Sequence, residues 1–487
     1  MLRKLASQTA YYGLSSIIGR LLNYVLVPFH ARVFSEGEYG MIADFYAQVA
    51  FLNVIYLYGM ETTFFQFVSH KKQDQRNTFS LIFTSVLGTS LLFSSIIWLS
   101  SDTLAGWMQY PDSGLFVQWF ALILLVDALA TIPFARLRVQ EKAKRFALLK
   151  VGQIVLTVLL NLFFLYVLRK VYLGEDFLFL KDTIFDVYDP EIGLGYTFLA
   201  NLIPNALVLL FLLPEFRDYI PKFDWTRFKP MLVYAYPMIF TGLAYATNEV
   251  ADRNLIKYLL PENFYVELDR MEAVGVYSGC YKLTIFITLA TQAFKYAAEP
   301  FFFSKASDRN APQTFARVMR YYVIACVLMI VAVSLEARLL ADIVLGKESY
   351  QMGVVVVPFL LFANTFLGVY YNLSVWFKVT DRTYFGTFIS LGGMFVTITL
   401  NVLLIPVLGF LGSAIATLAC YGTMMISCYL LGQRYHPIPY PIKAILGYLS
   451  LAAALSALGY FVQLNNFWLD QGFRVLVFMG LLGLIYA

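Results

Sequence analysis

An arginine stands eight residues before a proline twice in this chain, in Arg20-Leu-Leu-Asn-Tyr-Val-Leu-Val-Pro28 and in Arg253-Asn-Leu-Ile-Lys-Tyr-Leu-Leu-Pro261. Leu22 matches Leu255 and Leu26 matches Leu259. Each proline is followed by a glycine-bearing helix start, Glu38-Tyr39-Gly40 and Ala273-Val274-Gly275. Eight helical residues cover roughly 12 Å, so each guanidinium is expected well inside a hydrocarbon core about 30 Å thick. A cation at that depth is costly against lipid and is expected to face protein or a water-filled cavity. The chemistry on offer is anion binding, because a guanidinium presents a planar fork suited to phosphate. Two such cations at matched positions suggest a duplicated lobe around a shared polar cavity, the layout of a transporter.

The other charges within apolar stretches extend that reading. Arg20 and Asn23 share a helix face at i, i+3. Glu61 lies towards the end of the second apolar segment, and Asp127 sits in the middle of the fourth, before Pro133. The seventh carries Asn248, Glu249, Asp252, Arg253 and Lys257. Glu249, Arg253 and Lys257 run i, i+4, i+8 along one stripe with Asp252 beside it, so opposite charges are expected to pair locally. Lys282 falls in the eighth segment, followed by Lys295 and Glu299 at i, i+4. Ion pairs that lock helices together, or snorkelling near helix ends, are the plainer account of Lys257, Lys295 and Glu299. For Arg20 and Arg253 depth and duplication both call for more than that.

No enzyme chemistry accompanies these charges. His30, His70 and His436 are too scattered for a metal site. Cys280, Cys326, Cys420 and Cys428 fall in apolar stretches, where packing is their expected role. No glycine-rich phosphate loop of the GxxxxGK[ST] kind is present. Gly392-Gly393 and Gly409-Phe-Leu-Gly412 read as close helix packing and a tight turn. The reading is a non-enzyme with no cofactor, no metal and no nucleic-acid partner.

The elements that must position these residues are membrane helices. Of 487 residues 60% are hydrophobic and only 14% charged, against about a quarter charged in soluble proteins. The apolar runs are near 20 residues long, as helices require, rather than the alternating ten-residue segments of a barrel. About fourteen spans are expected near 11–33, 42–68, 78–100, 115–135, 146–168, 193–213, 231–259, 274–298, 319–341, 352–376, 386–407, 412–431, 443–462 and 473–487. The fold class is therefore an all-α polytopic membrane protein with two pseudo-symmetric six-helix lobes and a C-terminal helix pair. The expected divisions are 1–213, a cytoplasmic linker 214–230, 231–431 and 432–487. Lys and Arg concentrate roughly threefold in alternate loops, including Lys71, Lys72 and Arg76, Arg136 to Arg145, and Arg217 to Lys229. The positive-inside rule then places both termini in the cytoplasm. Met1-Leu-Arg-Lys4 leads into a polar helix without a small-residue cleavage site, so no cleaved signal is expected. The longest external connection, 170–192, holds Asp176, Asp182, Asp186, Asp189 and Glu191 and reads as a solvated loop.

Gly19-Arg20-Leu-Leu-Asn-Tyr-Val-Leu-Val-Pro28, followed by Arg32-Val-Phe-Ser-Glu-Gly-Glu38-Tyr39-Gly40, resembles the opening of the bacterial polysaccharide transporters. These are the O-antigen-type flippases of the multidrug/oligosaccharidyl-lipid/polysaccharide exporter superfamily. The resemblance implies two six-helix lobes around a cavity that opens alternately to either side, followed by helices thirteen and fourteen. It also implies a substrate, an undecaprenyl-pyrophosphate-linked oligosaccharide, in a bacterial cytoplasmic membrane, with a polysaccharide polymerase and glycosyltransferases as partners. Arg20 matches the cationic residue of the family's first helix, and Arg20, Asn23, Arg253 and Lys282 are the candidate substrate-binding residues. Glu61, Asp127, Glu249 and Asp252 are candidate carboxylates for holding the arginines when empty or for binding a coupling proton or sodium ion. A lipid II flippase has the same architecture and also offers a cationic cavity. A multidrug cation antiporter of the superfamily calls for a carboxylate in the first helix, where this chain has Arg20. A polyprenyl-linked glycosyl transferase or polymerase calls for large external loops, and only 170–192 approaches one.

Overall fold

A computed structural model describes residues 2–175, 188–305, 310–380, 382–462, 464 and 466–486. Asp176, Asp182 and Asp186 of the long loop lie outside the described residues. Among the described residues the regular structure is entirely helical, with fourteen long helices. They are α1 (Leu2–Val33), α2 (Glu36–Leu57), α3 (Gln75–Leu99), α4 (Gly114–Val139), α5 (Ala143–Leu162), α6 (Tyr196–Phe211) and α7 (Trp225–Leu259). After these come α8 in two pieces (Arg270–Lys282 and Ile285–Lys305), α9 (Ala311–Leu335), α10 (Val356–Leu373) and α11 (Tyr384–Leu408). The chain ends with α12 (Phe410–Tyr435), α13 (Ile442–Phe461) and α14 (Phe467–Tyr486). Among the described residues eleven helical stretches are long and apolar enough to cross a membrane, twelve if the two pieces of α8, bent by 52°, are one span. The other two, α1 and α7, span 32 and 35 residues and fall outside that group. They are the helices that carry the matched arginines and their polar neighbours. The protein is a multi-pass helical membrane protein.

Duplication is visible in the element order. Between α3 and α4 lies a short helix, Ser101–Trp107, and between α9 and α10 a second, Ala337–Val344; each follows its long helix after a single residue. The proline match does not carry through. Pro28 lies inside α1, whereas α7 ends at Leu259 and Pro261 opens the following turn. Pro28 is followed by five more helical residues, His30 and Ala31 among them buried, and packing carries the helix past it. Beyond Pro261 the chain reverses through Asn263 at φ +58°, a left-handed conformation that asparagine tolerates better than most residues.

The chain forms two compact units, Met1–Leu26 with Phe45–Leu243, and Val27–Asp44 with Ala244–Ala487. The boundaries fall inside α1, α2 and α7. Lipid tails are as apolar as the side chains they touch, so helix association rests on close packing and buried polar contacts. In the first unit an aromatic stack supplies the packing. Phe45 stacks on Phe120 at 5.0 Å, and Phe198 meets Phe120 edge-on at 4.6 Å. Residues 212–220 are pinned to the same unit. Arg145 donates to the buried Glu215 carboxylate at 2.7 Å, Arg136 to Asp218 at 3.0 Å, and Ile220 N to Ser80 Oγ at 3.1 Å. In the second unit Gly432 lets the Trp376 ring approach α12, and the indole donates to the Cys428 carbonyl at 3.2 Å. Gly393 likewise packs on Met424, while Gly392 faces open space. Gly409 joins α11 to α12 alone, at φ +59° and ψ −141°, a conformation only glycine adopts freely. All four cysteines are buried free thiols.

Candidate functional site

In the first unit, Arg20 is half-buried on α1 and Asn23, one turn on, is exposed. Among the described residues no hydrogen bond or ion pair reaches the Arg20 guanidinium. Glu61 has a different fate: its carboxylate accepts a charge-assisted hydrogen bond from Arg138 at the end of α4. The Arg138 guanidinium in turn lies over the Phe65 ring at 4.8 Å. Glu61 thus fastens the continuation of α2 to α4, the structural role of a paired charge.

Asp127 on α4 is the centre of a cluster that the sequence reading only half contained. Asn205 Nδ2 donates to Asp127 Oδ1 at 2.7 Å and lies 3.0 Å from Asn201 Oδ1. Gln153 on α5 donates to the side-chain Oδ1 of Asn205, and Tyr46 on α2 is hydrogen-bonded to Asn201. Lys150, also on α5, interacts electrostatically with Asp127 and lies over the Phe134 ring at 4.3 Å. Four helices therefore deliver an acid, an ammonium, three amides and a phenol to one place. The signal was present in part: Asn201 and Asn205 at i, i+4, and Lys150 and Gln153 at i, i+3, place polar pairs on one face of otherwise apolar helices.

In the second unit Arg253 is buried, unlike its match Arg20. Its Nη1 donates to Asp252 Oδ1 at 3.0 Å and to the Glu249 carbonyl at 2.8 Å, and its guanidinium lies 4.7 Å over the Tyr281 ring. Tyr277 OH donates to the other Asp252 oxygen at 2.6 Å. Local pairing on α7 is thus realised by the neighbour Asp252, while Arg253 hydrogen-bonds Glu249 at its backbone carbonyl and meets its carboxylate only electrostatically. The Glu249 side chain is hydrogen-bonded to Tyr245, which also bonds Tyr371 of α10. The expected stripe ends differently too. Lys257 pairs with Asp44 of α2 at 2.6 Å, both side chains 1% exposed. Asn248, on another face of α7, donates to the Ser390 carbonyl at 3.1 Å and accepts from Thr397 at 3.2 Å. Lys282 is exposed at the end of the first piece of α8, where the helix breaks. Lys295 lies 4.7 Å over the Tyr371 ring, while the Glu299 side chain is outside the described ones.

Chemically, the two matched cations do different things. Arg253 has a carboxylate, a carbonyl and an aromatic face, so an incoming anion would have to displace Asp252 to bind it in full. Arg20 offers its fork without such competition. Asp127 is a carboxylate held by the Asn205 amide next to an ammonium, a setting in which a proton or a cation changes the local charge balance.

Residues 29–172 match the family described as "Polysaccharide biosynthesis protein", a stretch that includes Glu38-Tyr39-Gly40 and Asp127. No curated protein matches the chain in sequence. Among solved structures, "Lipid II flippase MurJ, inward closed conformation" is similar at 15% identity and TM-score 0.69, over 97% of this chain and 98% of that one. The MATE transporter VcmN of Vibrio cholerae is similar at 14% identity and TM-score 0.62, over 88% of this chain and 96% of that one. A multidrug resistance MATE family transporter of the MOP superfamily in an inward-facing conformation follows at 14% and 0.58, over 92% and 96%. The family match over residues 29–172 agrees with the resemblance to polysaccharide transporters, and over nearly its whole length the chain has the fold of the lipid II flippase MurJ and the MATE transporters.

Proposed function

We propose that the protein is a flippase that carries polyprenyl-pyrophosphate-linked oligosaccharide across a bacterial cytoplasmic membrane by alternating access, with both termini in the cytoplasm. The observation that carries the proposal is Arg20, a cation on a membrane helix with no ion-pair partner among the described residues. A guanidinium left unpaired at membrane depth is unfavourable unless a cavity hydrates it or an anion joins it. A pyrophosphate head group suits that position, and its lipid tail stays in the bilayer. Asn23, one turn along, adds a donor for phosphate or sugar. The description of the matching family, polysaccharide biosynthesis, favours a glycan cargo over a drug cation, and so does the arginine itself. Asp127 is the preferred coupling carboxylate, for a proton or sodium ion, because Glu61 and Asp252 are engaged in ion pairs. A lipid II cargo is the second reading, favoured by the MurJ-like fold.

The test is export in a flippase-null strain and in proteoliposomes loaded with defined lipid-linked glycans. Arg20→Ala is expected to lower transport about 10- to 100-fold, the loss of one charge-assisted contact of about 1.5–3 kcal/mol, at unchanged protein level. Lys at position 20 is expected to restore only part of the activity, since it lacks the bidentate fork. Full transport by Arg20→Ala overturns the anion-binding role. Transport of lipid II but not of lipid-linked polysaccharide units replaces the first reading by the second.

A further inference from the structure

Three tyrosines of the second unit, Tyr245 on α7, Tyr281 on the first piece of α8 and Tyr371 on α10, form a group that the anion-binding reading leaves unused. Each is held at its hydroxyl. Tyr245 is hydrogen-bonded to the Glu249 carboxylate and to Tyr371, and Tyr281 to Asn364 of α10. Two of the rings carry a cation on one face: Arg253 lies 4.7 Å over Tyr281, and Lys295 lies 4.7 Å over Tyr371. Tyr245 does not. Its ring is 46% exposed, and among the described residues no other ring and no cation covers it. Glu249, one turn along the same face of α7, is also partly exposed, as is Lys295.

These groups sit deep in their helices. Tyr245 stands fourteen residues before the end of α7, and Tyr371 fifteen after the start of α10, each about 21–22 Å of helix. A carboxylate and an ammonium partly exposed at that depth face water rather than lipid. The Tyr245 ring, bonded at its edge into this group, is therefore a wet aromatic surface. Charge on the face is balanced, since Arg253 and Lys295 are matched by Asp252 and Glu249, and Arg253 is already engaged by Asp252. Such a face has no excess charge with which to hold an anion. What it offers is a flat ring, whose π-face attracts the slightly positive edges of C–H bonds, with a carboxylate acceptor and an ammonium donor in the same group. A pyranose ring presents the complement: an apolar C–H face bounded by hydroxyls, each both donor and acceptor.

We propose that this face of α7, α8 and α10 is a carbohydrate subsite for an uncharged hexose. The Tyr245 ring is its platform, Glu249 accepts from the sugar hydroxyls, and Lys295 donates to them. Tyr371 is a positioning residue, which fixes the edge of the platform and carries Lys295 on its ring. The inference rests on the flippase reading above and names the part of the cargo that the second unit recognises, the glycan rather than the pyrophosphate.

The experiment uses the full chain in lipid nanodiscs and three probes: a polyprenyl pyrophosphate without sugar, the same lipid carrying N-acetylglucosamine, and the same lipid carrying glucuronate. Tyr245→Ala is expected to weaken binding of the N-acetylglucosamine lipid about tenfold and to leave the sugar-free lipid unchanged. Should it fail to accumulate, Tyr245→Leu, which keeps apolar bulk and loses the flat ring, takes its place. Tyr245→Phe keeps the ring and is expected to retain most of the affinity, whereas Arg20→Ala is expected to weaken both lipids alike. A loss in Tyr245→Ala that is equal for the two lipids, or absent from both, overturns the subsite. Phe no better than Ala overturns the platform and leaves the tyrosine a hydrogen-bonding strut. Tighter binding of the glucuronate lipid than of the N-acetylglucosamine lipid overturns the assignment to an uncharged sugar. A soluble disaccharide of N-acetylglucosamine separates this inference from the reading it rests on. A saturation-transfer NMR signal from it that is lost in Tyr245→Ala, in a protein that binds no polyprenyl pyrophosphate, upholds the subsite and overturns the flippase reading alone.

Discussion

Arg20 and Arg253 are the same residue at the same place in two copies of one sequence pattern, and their surroundings separate them. Arg253 is compensated within its own turn by Asp252, whose second oxygen is occupied by Tyr277. That division makes a stability prediction. Asp252→Asn leaves a buried guanidinium without its counter-charge, and removing one partner of a buried pair typically costs about 3–5 kcal/mol. Glu249→Gln should cost less, because it keeps the backbone carbonyl that Arg253 hydrogen-bonds and removes only an electrostatic attraction without a direct ion pair. Thermal unfolding of the purified protein in detergent checks the contrast: a clear drop in Tm for Asp252→Asn and a small one for Glu249→Gln. Equal drops would mean that the Glu249 carboxylate shares in holding Arg253.

At the scale of elements, the connection between α6 and α7 is the informative one. Its composition, with Arg217, Lys222, Arg227 and Lys229, reads as a solvated basic loop. In the structure its first part is held down by Glu215, only 4% exposed, and Asp218, which accept from Arg145 and Arg136. The basic turn between α4 and α5 thus acts as a clasp on the chain leaving α6. Glu215→Ala should open the clasp and raise local fluctuation of 212–220. Limited trypsin digestion is expected to cut at Arg217 and Lys222 several-fold faster in that variant, with cleavage elsewhere unchanged. Unchanged rates at these two bonds would assign the anchoring to Asp218 and Ser80 instead.

For the whole molecule, the proposed orientation is the part to test. Lys222 and Val266 lie just beyond the two ends of the single helix α7, and both are exposed, Val266 at 99%. In the proposed orientation, which rests on the bias of Lys and Arg towards alternate loops, the Lys222 side is cytoplasmic. A cysteine at position 222 should then react with an impermeant reagent only from the cytoplasmic side, and one at position 266 only from the outside. The reverse pattern would invert the topology.

The sequence by itself determined what depends on composition and short range: a helical membrane protein, fourteen helices, a duplicated pattern, and local pairs such as Asp252–Arg253. Hydrophobic runs and i, i+4 spacings are properties of one segment, so one segment displays them. Tertiary structure decided which charges are spent on holding helices together. Arg138 reaches Glu61 across 77 positions and Lys257 reaches Asp44 across 213, and nothing in either segment names its partner. For the same reason Asp127 was legible as a lone buried acid, but its amide shell from α6 and α5 was not. Gly40 and Gly275, whose backbones lie so close that a Cβ on either would overlap the other helix, show both halves of this. Their match was legible in the sequence, while their contact was not, because a shared pattern fixes what two backbones look like and only packing fixes that they meet.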